Sequence, residues 1–478
     1  MQATLERELK LAVGPRFRLP ALPGDPLPAR VFTSTYYDTA DYRLAGAGVT
    51  LRRRVERRTG VWQLKLPRGA ARLELELAGG SAHPPEEVRD LVTAYARGQE
   101  LRPVATLRSR RTGLRVRGLA GPIADVVVDA VAVLDGRKVL RRLRELEVEL
   151  IDGDEAALGQ IGEALRAAGA ADGAGRPKLF QALDLAPPVP PEPIAPAAPA
   201  AEHLKAMIQA QLAAVLAHDP GTRLGSHPED LHQMRVATRR LRALLRAARP
   251  MLAPEWVEPL RAELAWLADL LGTVRDLDVL LGHVCDQAAL LEPAERRAFA
   301  RLLRRLDAEW VQARAAMLEA LRSERYLRLL DRVEDAGRAP RVVATAVSLG
   351  AIAGSEFDKL RKAMRALGDE PSDAELHAIR IRGKRARYAA ELAEAAIGKP
   401  ATRFIRTARL FQDVLGEHQD AVVAEQRLRR LVAETGSRWA AFAAGRLVER
   451  QRARRQAARA ALPDIRKKLE KRGHSAWP

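Results

Sequence analysis

The sequence predicts an α+β chain of two domains, the first rich in strands and the second all helical. Three observations lead to this prediction. Polar and apolar residues alternate in short runs through residues 1 to about 185, a proline-rich segment follows at 186–200, and apolar residues then recur with a helical period through 201–478. With 478 residues the chain is also too long for one ordinary hydrophobic core, which favours several domains.

The composition indicates a polyanionic partner. The formal net charge is +19, which suits nucleic acid, an anionic membrane surface or a polymer of phosphate. Aromatic residues make up only 4%, so binding of single-stranded nucleic acid through base stacking is not expected. The single cysteine, Cys285, excludes an intramolecular disulfide and a thiol-rich zinc site.

The N-terminus and the hydropathy of the chain predict a cytoplasmic protein. The first residues, MQATLERELKLAV, are charged and lack the apolar run of a signal peptide. No stretch is apolar enough to span a bilayer, so no membrane partner is expected. The sequence does not indicate the oligomeric state.

The predicted strands of the first domain carry charged residues at alternate positions. Acidic residues alternate with apolar ones in three strands, at Glu6 and Glu8, at Glu74 and Glu76, and at Glu145, Glu147 and Glu149. Basic or polar residues do the same at Lys10, Arg52 and Arg54, Gln63 and Lys65, Arg72, and Thr106, Arg108 and Arg110. A hairpin turn is predicted at Asp135-Gly136, and short helices are predicted at Pro85–Ala96 and Glu155–Ala168.

The number of charged strands, rather than any one of them, indicates a function. An ordinary half-exposed strand also alternates polar and apolar residues. If the charged face closed on itself as a barrel, however, its lumen would place carboxylates beside guanidinium and ammonium groups. Carboxylates suit Mg²⁺ or Mn²⁺, which prefer hard oxygen ligands, and the bases suit phosphate oxygens.

The order of the motifs in this domain resembles the CYTH family of triphosphate tunnel metalloenzymes. Residues 6–10, ERELK, match the ExExK signature of the family. Other matching segments follow in family order: TYYDTADYRL at 35–44, LRRR at 51–54, WQLKLP at 62–67, RLELEL at 72–77, LRSR at 107–110 and ELEVEL at 145–150. The resemblance implies an antiparallel eight-stranded β tunnel over residues 1–185 that binds a triphosphate and hydrolyses it, or in some members cyclises a nucleotide.

The resemblance also implies roles for individual residues. The ligands of Mg²⁺ or Mn²⁺, or residues next to them, would be Glu6, Glu8, Glu74, Glu76, Asp129, Glu145, Glu147 and Glu149. The triphosphate would be bound by Lys10, Arg52, Arg54, Lys65, Arg72, Arg108, Arg110 and Lys178. The catalytic centre would consist of Glu6, Glu8, Lys10 and Glu147.

The rest of the chain predicts a linker and a helical bundle. Residues 186–200, APPVPPEPIAPAAPA, favour an extended, semi-rigid spacer, because proline at this density disfavours helix. Helices are predicted at Leu204–Leu216, Pro228–Arg249, Pro254–Leu281, Pro293–Leu321, Ala374–Ala396, Arg403–Leu415 and Val422–Arg459, with interruptions at Pro220-Gly221 and Gly398-Lys399-Pro400. No heptad is sustained, so a bundle is expected rather than a coiled coil.

An internal repeat divides the helical domain into halves of about 201–340 and 341–478. LHQMRVATRRLR at 231–242 returns 145 positions later as LHAIRIRGKRAR at 376–387. In helical form the basic residues of the first copy lie in one stripe opposite an apolar face. Charge runs are often only solvated faces, but solvation gives no reason for two copies to keep His, Arg and Arg or Lys in the same register.

This repeat, together with LGTVRD at 271–276 and LGEHQD at 415–420, resembles the CHAD domain. The resemblance implies two duplicated four-helix bundles with a basic pore or groove that binds inorganic polyphosphate. The residues expected to bind it are His232, Arg235, Arg239, Arg242, Arg246, His377, Arg380, Lys384 and Arg387.

The sequence therefore predicts metal-dependent hydrolysis of inorganic triphosphate or a related triphosphate, coupled to polyphosphate binding. The alternative is a non-catalytic protein that binds polyphosphate or targets the chain to polyphosphate granules. Nucleic acid is the least favoured partner, because aromatic residues are scarce and no recognition motif is present.

Overall fold

The computed structural model describes residues 2–69, 71–119, 121–152, 154–172, 176–186, 192–289, 292–343, 348–433 and 438–477. Contacts divide the chain into two compact units, residues 1–190 and 191–478. The predicted linker at 186–200 lies partly outside the described residues, and so does the side chain of Glu6.

Among its described residues the first unit is an antiparallel sheet of ten strands, so the predicted count of eight is not confirmed. The strands are β1 (Gln2–Glu6), β2 (Glu8–Ala12), β3 (Gly24–Asp38), β4 (Thr50–Glu56), β5 (Thr59–Arg68), β6 (Ala71–Ala78), β7 (Arg102–Arg117), β8 (Pro122–Asp135), β9 (Lys138–Leu150) and β10 (Ala171–Asp172). Two strands are added because Arg7 splits the first predicted strand into β1 and β2, and because the two-residue β10 pairs with β2.

The hydrogen-bonded order is β1-β6-β5-β4-β3-β7-β8-β9-β2-β10, so among the described residues the ladder is not closed. Its two sides are nevertheless joined by the N-terminal segment. This segment pairs through β1 with β6 and, one residue later, through β2 with β9. The sheet is therefore strongly curled, and side chains from β2 to β7 and from β9 line one cavity.

The two faces of the curled sheet have different partners. On the outer face, Leu146 and Val148 of β9 pack against helix α3 (Glu155–Ala167) through Ile161 and Leu165. Because side chains alternate along a strand, Glu145 and its odd-numbered neighbours point to the inner face. At one end that inner face is filled by an apolar cluster that includes Leu107, Val131, Leu179 and Phe180, the last two from helix α4 (Lys178–Leu183).

Two further helices and one turn complete this unit. Helix α1 (Arg43–Gly46) follows β3, and helix α2 (Glu86–Ala96) lies where a short helix was predicted. The predicted hairpin at Asp135-Gly136 joins β8 to β9, and Gly136 has a φ of 56°, which glycine adopts without steric cost.

The second unit is helical. Its helices are α5 (Ala200–Leu224), α6 (Pro228–Ala247), α7 (Pro254–Ala288), α8 (Pro293–Arg322), α9 (Glu324–Arg338), α10 (Leu349–Arg365), α11 (Asp373–Ile397), α12 (Lys399–Ala433) and α13 (Arg438–Ala476). Helices α10 to α13 share one core, which includes Phe357, Leu376, Phe404 and Leu469. Helix α6 packs on α5 and α7, and it also contacts α11. None of the helices in the described ranges has the length and apolar character needed to cross a membrane.

The predicted break at Pro220-Gly221 was wrong, because both residues lie inside α5. One contact within α5 and one from α9 hold the last turns of this helix in place. The buried Asp219 and Arg223 form an ion pair, with 2.6 Å between Oδ1 and Nε, and the Tyr326 hydroxyl donates to Asp219 at 2.8 Å. These contacts offset the hydrogen bond that proline removes. The predicted break at 398–400 is confirmed, since α11 ends at Ile397 and Gly398 has a φ of 75°.

Candidate functional site

The curled sheet encloses a polar cavity of about 220 Å³, which we call the sheet cavity. Its wall carries eight basic and four acidic side chains and therefore has an excess of positive charge. These side chains are Lys10, Arg30, Arg52, Arg54, Lys65, Arg72, Arg111 and Lys178, and Glu74, Glu76, Glu147 and Glu149. A small ligand with several negative charges fits such a cavity in both size and charge.

Three buried acids lie at the floor of the sheet cavity. Asp129, Glu145 and Glu147 are each no more than 5% exposed. The Lys178 Nζ reaches all three, at 2.7 Å from Asp129, 3.0 Å from Glu145 and 2.9 Å from Glu147. Lys178 is therefore the centre of a compact ion network beneath the cavity.

Lys10 and Arg111 complete the network. The Lys10 Nζ lies 3.1 Å from Glu147 and 3.3 Å from Glu8. Arg111 donates two hydrogen bonds of 2.9 Å to Asp129 and one of 2.7 Å to Glu147. Three cations therefore neutralise three buried carboxylates. Carboxylates can stay charged away from water only when they are paired in this way.

The pKa values in the network follow from burial and pairing. Burial alone would raise the pKa of Glu147, but Lys178, Lys10 and Arg111 outweigh it and hold that pKa well below its usual range. Burial likewise opposes the charged form of Lys178, yet its three acids hold its pKa well above normal. Burial raises the pKa of Glu145, so this is the acid of the network that takes up a proton most easily.

Arg54 is a basic residue of the sheet cavity that is crowded by other cations. Burial, followed by the neighbouring Arg52, Arg30 and Arg111, lowers its pKa to about 10. Its buried Nη2 has no hydrogen-bond partner, and the carboxylate of Glu56 lies 3.6 Å away. The guanidinium stacks over the Phe32 ring with its central carbon 4.0 Å from the ring centroid. An anion in the cavity would supply the missing partner.

The structure corrects two of the predicted phosphate ligands. Arg108 and Arg110 are exposed and lie on the outer face of β7, because Ser109 and Arg111 alternate with them toward the inside. Arg111, which was not predicted, lines the cavity instead. Because residues 110 and 111 are both arginine, the alternation along β7 puts an arginine on the inner face whether the odd-numbered or the even-numbered residues point inward. The pairing of Arg111 with Asp129 across β7 and β8 decides which arginine points inward.

The other predicted residues of this unit lie in or beneath the cavity, with two exceptions. Lys10, Arg52, Arg54, Lys65, Arg72, Lys178, Glu74, Glu76, Glu147 and Glu149 line it, while Asp129 and Glu145 belong to the network below. Glu8 contacts Lys10 at the edge of this set. Glu6 pairs with Arg72 in the ladder, but its side chain lies outside the described residues. Arg30, like Arg111, was missed by the sequence patterns.

One pair of carboxylates suits a hard divalent cation. Glu8 and Glu149 are direct partners across β2 and β9, and both retain solvent exposure. Glu8 pairs with Lys10 at 3.3 Å and Glu149 pairs with Arg111 at 3.1 Å, and each carboxylate has further lone pairs that a cation could use. Within the described ranges, no three His, Cys, Asp or Glu residues are grouped to hold an ion unaided. The donor set therefore fits Mg²⁺ or Mn²⁺ in the form that uses one or two carboxylates together with phosphate oxygens.

The basic stripe of the helical unit borders two adjoining cavities. The first, of about 750 Å³, we call the histidine cavity; its lining includes His232, Arg235, Arg239, Arg380, Lys384 and Arg387. The second, of about 820 Å³, we call the arginine cavity; its lining includes Arg239, Arg242, Arg246, Arg249, Arg261, Lys359, Lys384 and Arg385. Arg239, Lys384 and Tyr388 border both, so the two cavities meet there.

Eight of the nine predicted polyphosphate ligands therefore line a cavity, and His377 does not. Its Nδ1 lies 2.8 Å from the Gln419 Oε1 within the same half of the repeat. The structure adds basic residues that the stripe did not indicate: Arg240, Arg275 and Arg454 in the histidine cavity, and Arg249, Arg261, Lys359 and Arg385 in the arginine cavity. Arg261 and Lys359 come from other helices, so the periodicity of one helix could not reveal them.

Lys384 is surrounded by cations where the cavities meet. It stands in the second copy at the position that Arg239 occupies in the first. Burial, followed by Arg239, Arg380, Arg235 and Arg387, lowers its pKa to about 6. An arginine cannot lose its proton in this way, so the substitution within the repeat introduces a titratable group.

Comparisons with known proteins are consistent with these two units. A CYTH domain profile matches residues 4–172 and a CHAD domain profile matches residues 206–429. Uncharacterized proteins from two strains of Mycobacterium tuberculosis are 30% identical over 431 residues, covering 84% of this chain and 82% of each relative. A crystal structure of the CHAD domain from the plant Ricinus communis is 26% identical and covers 58% of this chain and 94% of its own, with a TM-score of 0.48.

Proposed function

The chain belongs to the family of proteins in which a CYTH domain precedes a CHAD domain, and from this membership we propose that it is a metal-dependent triphosphatase that also binds inorganic polyphosphate. The first unit would hydrolyse inorganic triphosphate or a related triphosphate in the sheet cavity. The second unit would bind polyphosphate in its two basic cavities. A non-catalytic polyphosphate-binding protein is the alternative that the tests below distinguish.

The buried Nη2 of Arg54 is the observation that carries the first part of the proposal. It has no hydrogen-bond partner, its ion pair with Glu56 is long at 3.6 Å, and burial followed by neighbouring cations lowers the pKa of this arginine. A triphosphate has enough charge and enough acceptor oxygens to satisfy several such groups at once. Charge-assisted hydrogen bonds of this kind are roughly twice as strong as neutral ones.

The mechanism assigns different tasks to the two sides of the cavity. Arg52, Arg54 and Arg72 would hold the phosphate chain and neutralise the charge that develops as water attacks the terminal phosphorus. The new P–O bond would form as the bond to the departing pyrophosphate breaks. Glu8 and Glu149 would hold the divalent cation, which supplies further positive charge and a lowered pKa for the attacking water. This reaction requires no serine or cysteine nucleophile.

The network beneath the cavity would position these groups. Lys178 and Arg111 keep Glu147 charged while it is buried, and Glu147 in turn fixes Lys10 at 3.1 Å. A side chain locked by ion pairs on both sides loses little further freedom when substrate binds. Such preorganisation is the main contribution that a protein makes to phosphoryl transfer.

The direct test is phosphate release from inorganic triphosphate by the purified protein, with Mg²⁺ or Mn²⁺ and with a chelator. We expect release with either ion and none with the chelator. If the protein releases no phosphate with either ion but binds long-chain polyphosphate, the non-catalytic alternative is correct.

Arg54→Gln is expected to raise the KM for triphosphate by about tenfold to a hundredfold, because one charge-assisted hydrogen bond contributes about 1.5–3 kcal/mol. Arg110→Gln is the matched control, since Arg110 is an exposed arginine on the outer face of the same sheet. Steady-state kinetics of both variants measure the difference. Equal KM values for the two variants would contradict the assignment of Arg54.

The second part of the proposal rests on the charge of the helical cavities. We propose that the two halves, α5–α9 and α10–α13, derive from duplicated four-helix bundles, with one helix more in the first half, and that they present α6 and α11 to each other. Their basic residues crowd together, and burial followed by neighbouring arginines lowers the pKa of both Arg235 and Arg380. A flexible chain of phosphates can follow such a surface and relieve the repulsion between its cations.

Lys384 makes polyphosphate binding dependent on pH. Its pKa of about 6 leaves it mostly neutral at neutral pH in the free protein, and a bound polyanion would raise that pKa toward its usual value. Binding should then take up a proton, so affinity should fall as pH rises, by roughly tenfold between about pH 6.5 and about pH 8. Lys384→Arg keeps its charge and should lose most of this dependence. Titration calorimetry in buffers of different ionisation enthalpy measures the proton uptake, and an unchanged pH profile in Lys384→Arg would contradict the assignment.

A further inference from the structure

The pseudo-repeat places opposite charges at some equivalent positions of its two copies. Shifting Arg240 by 145 positions gives Arg385, and the same shift takes Arg246 to Glu391. In the structure Arg240 of α6 contacts Glu391 of α11, with 3.6 Å between Nη2 and Oε1. The repeat also implies the reverse contact, in which Arg385 of α11 takes the place of Arg240 and Arg246 of α6 takes the place of Glu391. This second contact brings two cations together.

Glu391 neutralises nearby arginines at one end of the contact between α6 and α11. It is only 8% exposed, and it also lies 3.7 Å from Arg387 and 3.5 Å from Arg409. Three arginines, Arg240, Arg387 and Arg409, are therefore arranged around one carboxylate. The arginines there are held by the protein itself and have less need of an external anion.

At the other end of this contact, Arg246 and Arg385 have no carboxylate between them that corresponds to Glu391. Burial lowers the pKa of Arg246, and Arg385 is the neighbour that lowers it most, followed by Arg249 and Arg242. The buried Arg385 Nε has no hydrogen-bond partner. Glu356 is the sole acid among the described residues that line the arginine cavity, and it also pairs with Lys359 at 2.6 Å.

The two cavities therefore differ in net charge although they adjoin. The lining of the histidine cavity includes four acids, Asp276, Asp413, Glu417 and Asp420. Asp276 lies 3.0 Å from Arg235 and compensates part of its charge. The arginine cavity presents a similar number of cations with a single acid in its lining, and Glu258 pairs with Arg249 at 2.7 Å and with Arg261 at 2.6 Å behind that lining. It still has fewer carboxylates than the histidine cavity, so it exerts the stronger attraction on a concentrated negative charge.

A linear polyphosphate concentrates its charge at its ends. Each inner phosphate has one ionisable oxygen, whereas each terminal phosphate has two and, like a phosphate monoester, carries about −1.5 to −2 at pH 7. We infer that the arginine cavity is a subsite for the terminal phosphate of a linear polyphosphate, with the inner phosphates passing Arg239 and Lys384 into the histidine cavity. This inference rests on the polyphosphate binding proposed above.

The test compares two forms of one short linear polyphosphate, with free ends and with both terminal phosphates blocked as phosphoramidates. Full-length protein is used with a chelator, so that hydrolysis does not interfere. We expect the native chain to bind the free-ended form about tenfold more tightly. Arg246→Glu and, independently, Arg242→Glu should lose this preference, and both residues are exposed, so the variants should fold. Arg403→Glu, the same charge change at an exposed position outside both cavities, should keep it.

Each outcome of this comparison is decisive. Equal affinity of the native chain for the two forms would overturn the inference and leave polyphosphate binding intact. A preference that persists in Arg246→Glu and Arg242→Glu would also overturn it, because the preference would then arise elsewhere, for example in the sheet cavity. If neither form binds, both the inference and the proposed polyphosphate binding are wrong.

Discussion

Lys178→Met is expected to lower the free energy of unfolding of the first unit by about 3–5 kcal/mol, because it removes the centre of a buried ion network. Lys178 is 9% exposed and contacts Asp129, Glu145 and Glu147. Methionine fills a similar volume but leaves three buried carboxylates with only Arg111 and Lys10. The expected fall in melting temperature is roughly 6–20 °C, measured by calorimetry on the full chain.

The loss of stability in Lys178→Met should depend on pH, and the shifted pKa values give the direction. In the native protein the pKa values of Asp129 and Glu147 are lowered, so the stability they contribute is present above their unfolded pKa values and is lost as pH falls. In Lys178→Met the same acids have only Arg111 and Lys10 to compensate their charge at neutral pH, and acid removes the excess negative charge. The difference between native and variant should therefore shrink as pH falls. Lys138→Met, at an exposed lysine of β9, is the control, and an equal loss of stability there would contradict the network.

The double variant Arg235→Gln with Arg380→Gln is expected to weaken polyphosphate binding by about a hundredfold or more at low salt. Each arginine would contribute a charge-assisted hydrogen bond of about 1.5–3 kcal/mol. Neutral glutamine avoids placing a new carboxylate beside Asp276 and Asp420, the acids that compensate Arg235 and Arg380. The affinity should also depend less on salt, because fewer phosphate charges are neutralised.

The control for this variant has the same change in net charge at exposed positions, Arg403→Gln with Arg406→Gln. Fluorescence anisotropy with labelled long-chain polyphosphate, measured at several salt concentrations, compares the two. If both double variants lose affinity equally, binding follows net charge and not the cavities. Equal affinity of the native chain for duplex DNA at the same salt would lead to the same conclusion.

Strand β7 has an inward-facing arginine that its own sequence could not identify. Its sequence, LRSRR at 107–111, contains arginine at both even-numbered and odd-numbered positions, so alternation alone could not say which arginine faces inward. The inward choice of Arg111 depends on its cross-strand partner Asp129, which is 18 residues away in the chain. A cross-strand register is a long-range property, and a one-residue error reverses every side chain.

Helix α5 continues through a segment where local propensity predicted a break. Proline and glycine at 220 and 221 predicted a break from local propensity alone. The buried contacts of Asp219 with Arg223 and Tyr326 override that propensity, and the helix continues to Leu224. Propensity is worth about 3 kcal/mol at most for proline, which a few buried polar contacts can match.

The sequence by itself determined what periodicity, composition and repetition can show. Alternation and helical period identified a strand-rich unit and a helical one, the motif order identified their families, and the repeat at His232 and His377 located the basic helices. These signals are local or compare one segment with another. They survive in the linear chain because each depends on neighbouring residues or on a fixed offset.

Only the tertiary structure decided how charges compensate one another. It gave Lys178 three acid partners, left Arg54 without a hydrogen bond at Nη2, and set Arg246 against Arg385 where the equivalent contact joins Arg240 to Glu391. A charged residue looks the same in sequence whether its partner is an acid, a base or water. The partner is chosen by packing between distant segments, and the electrostatic energy depends on that distance and on burial.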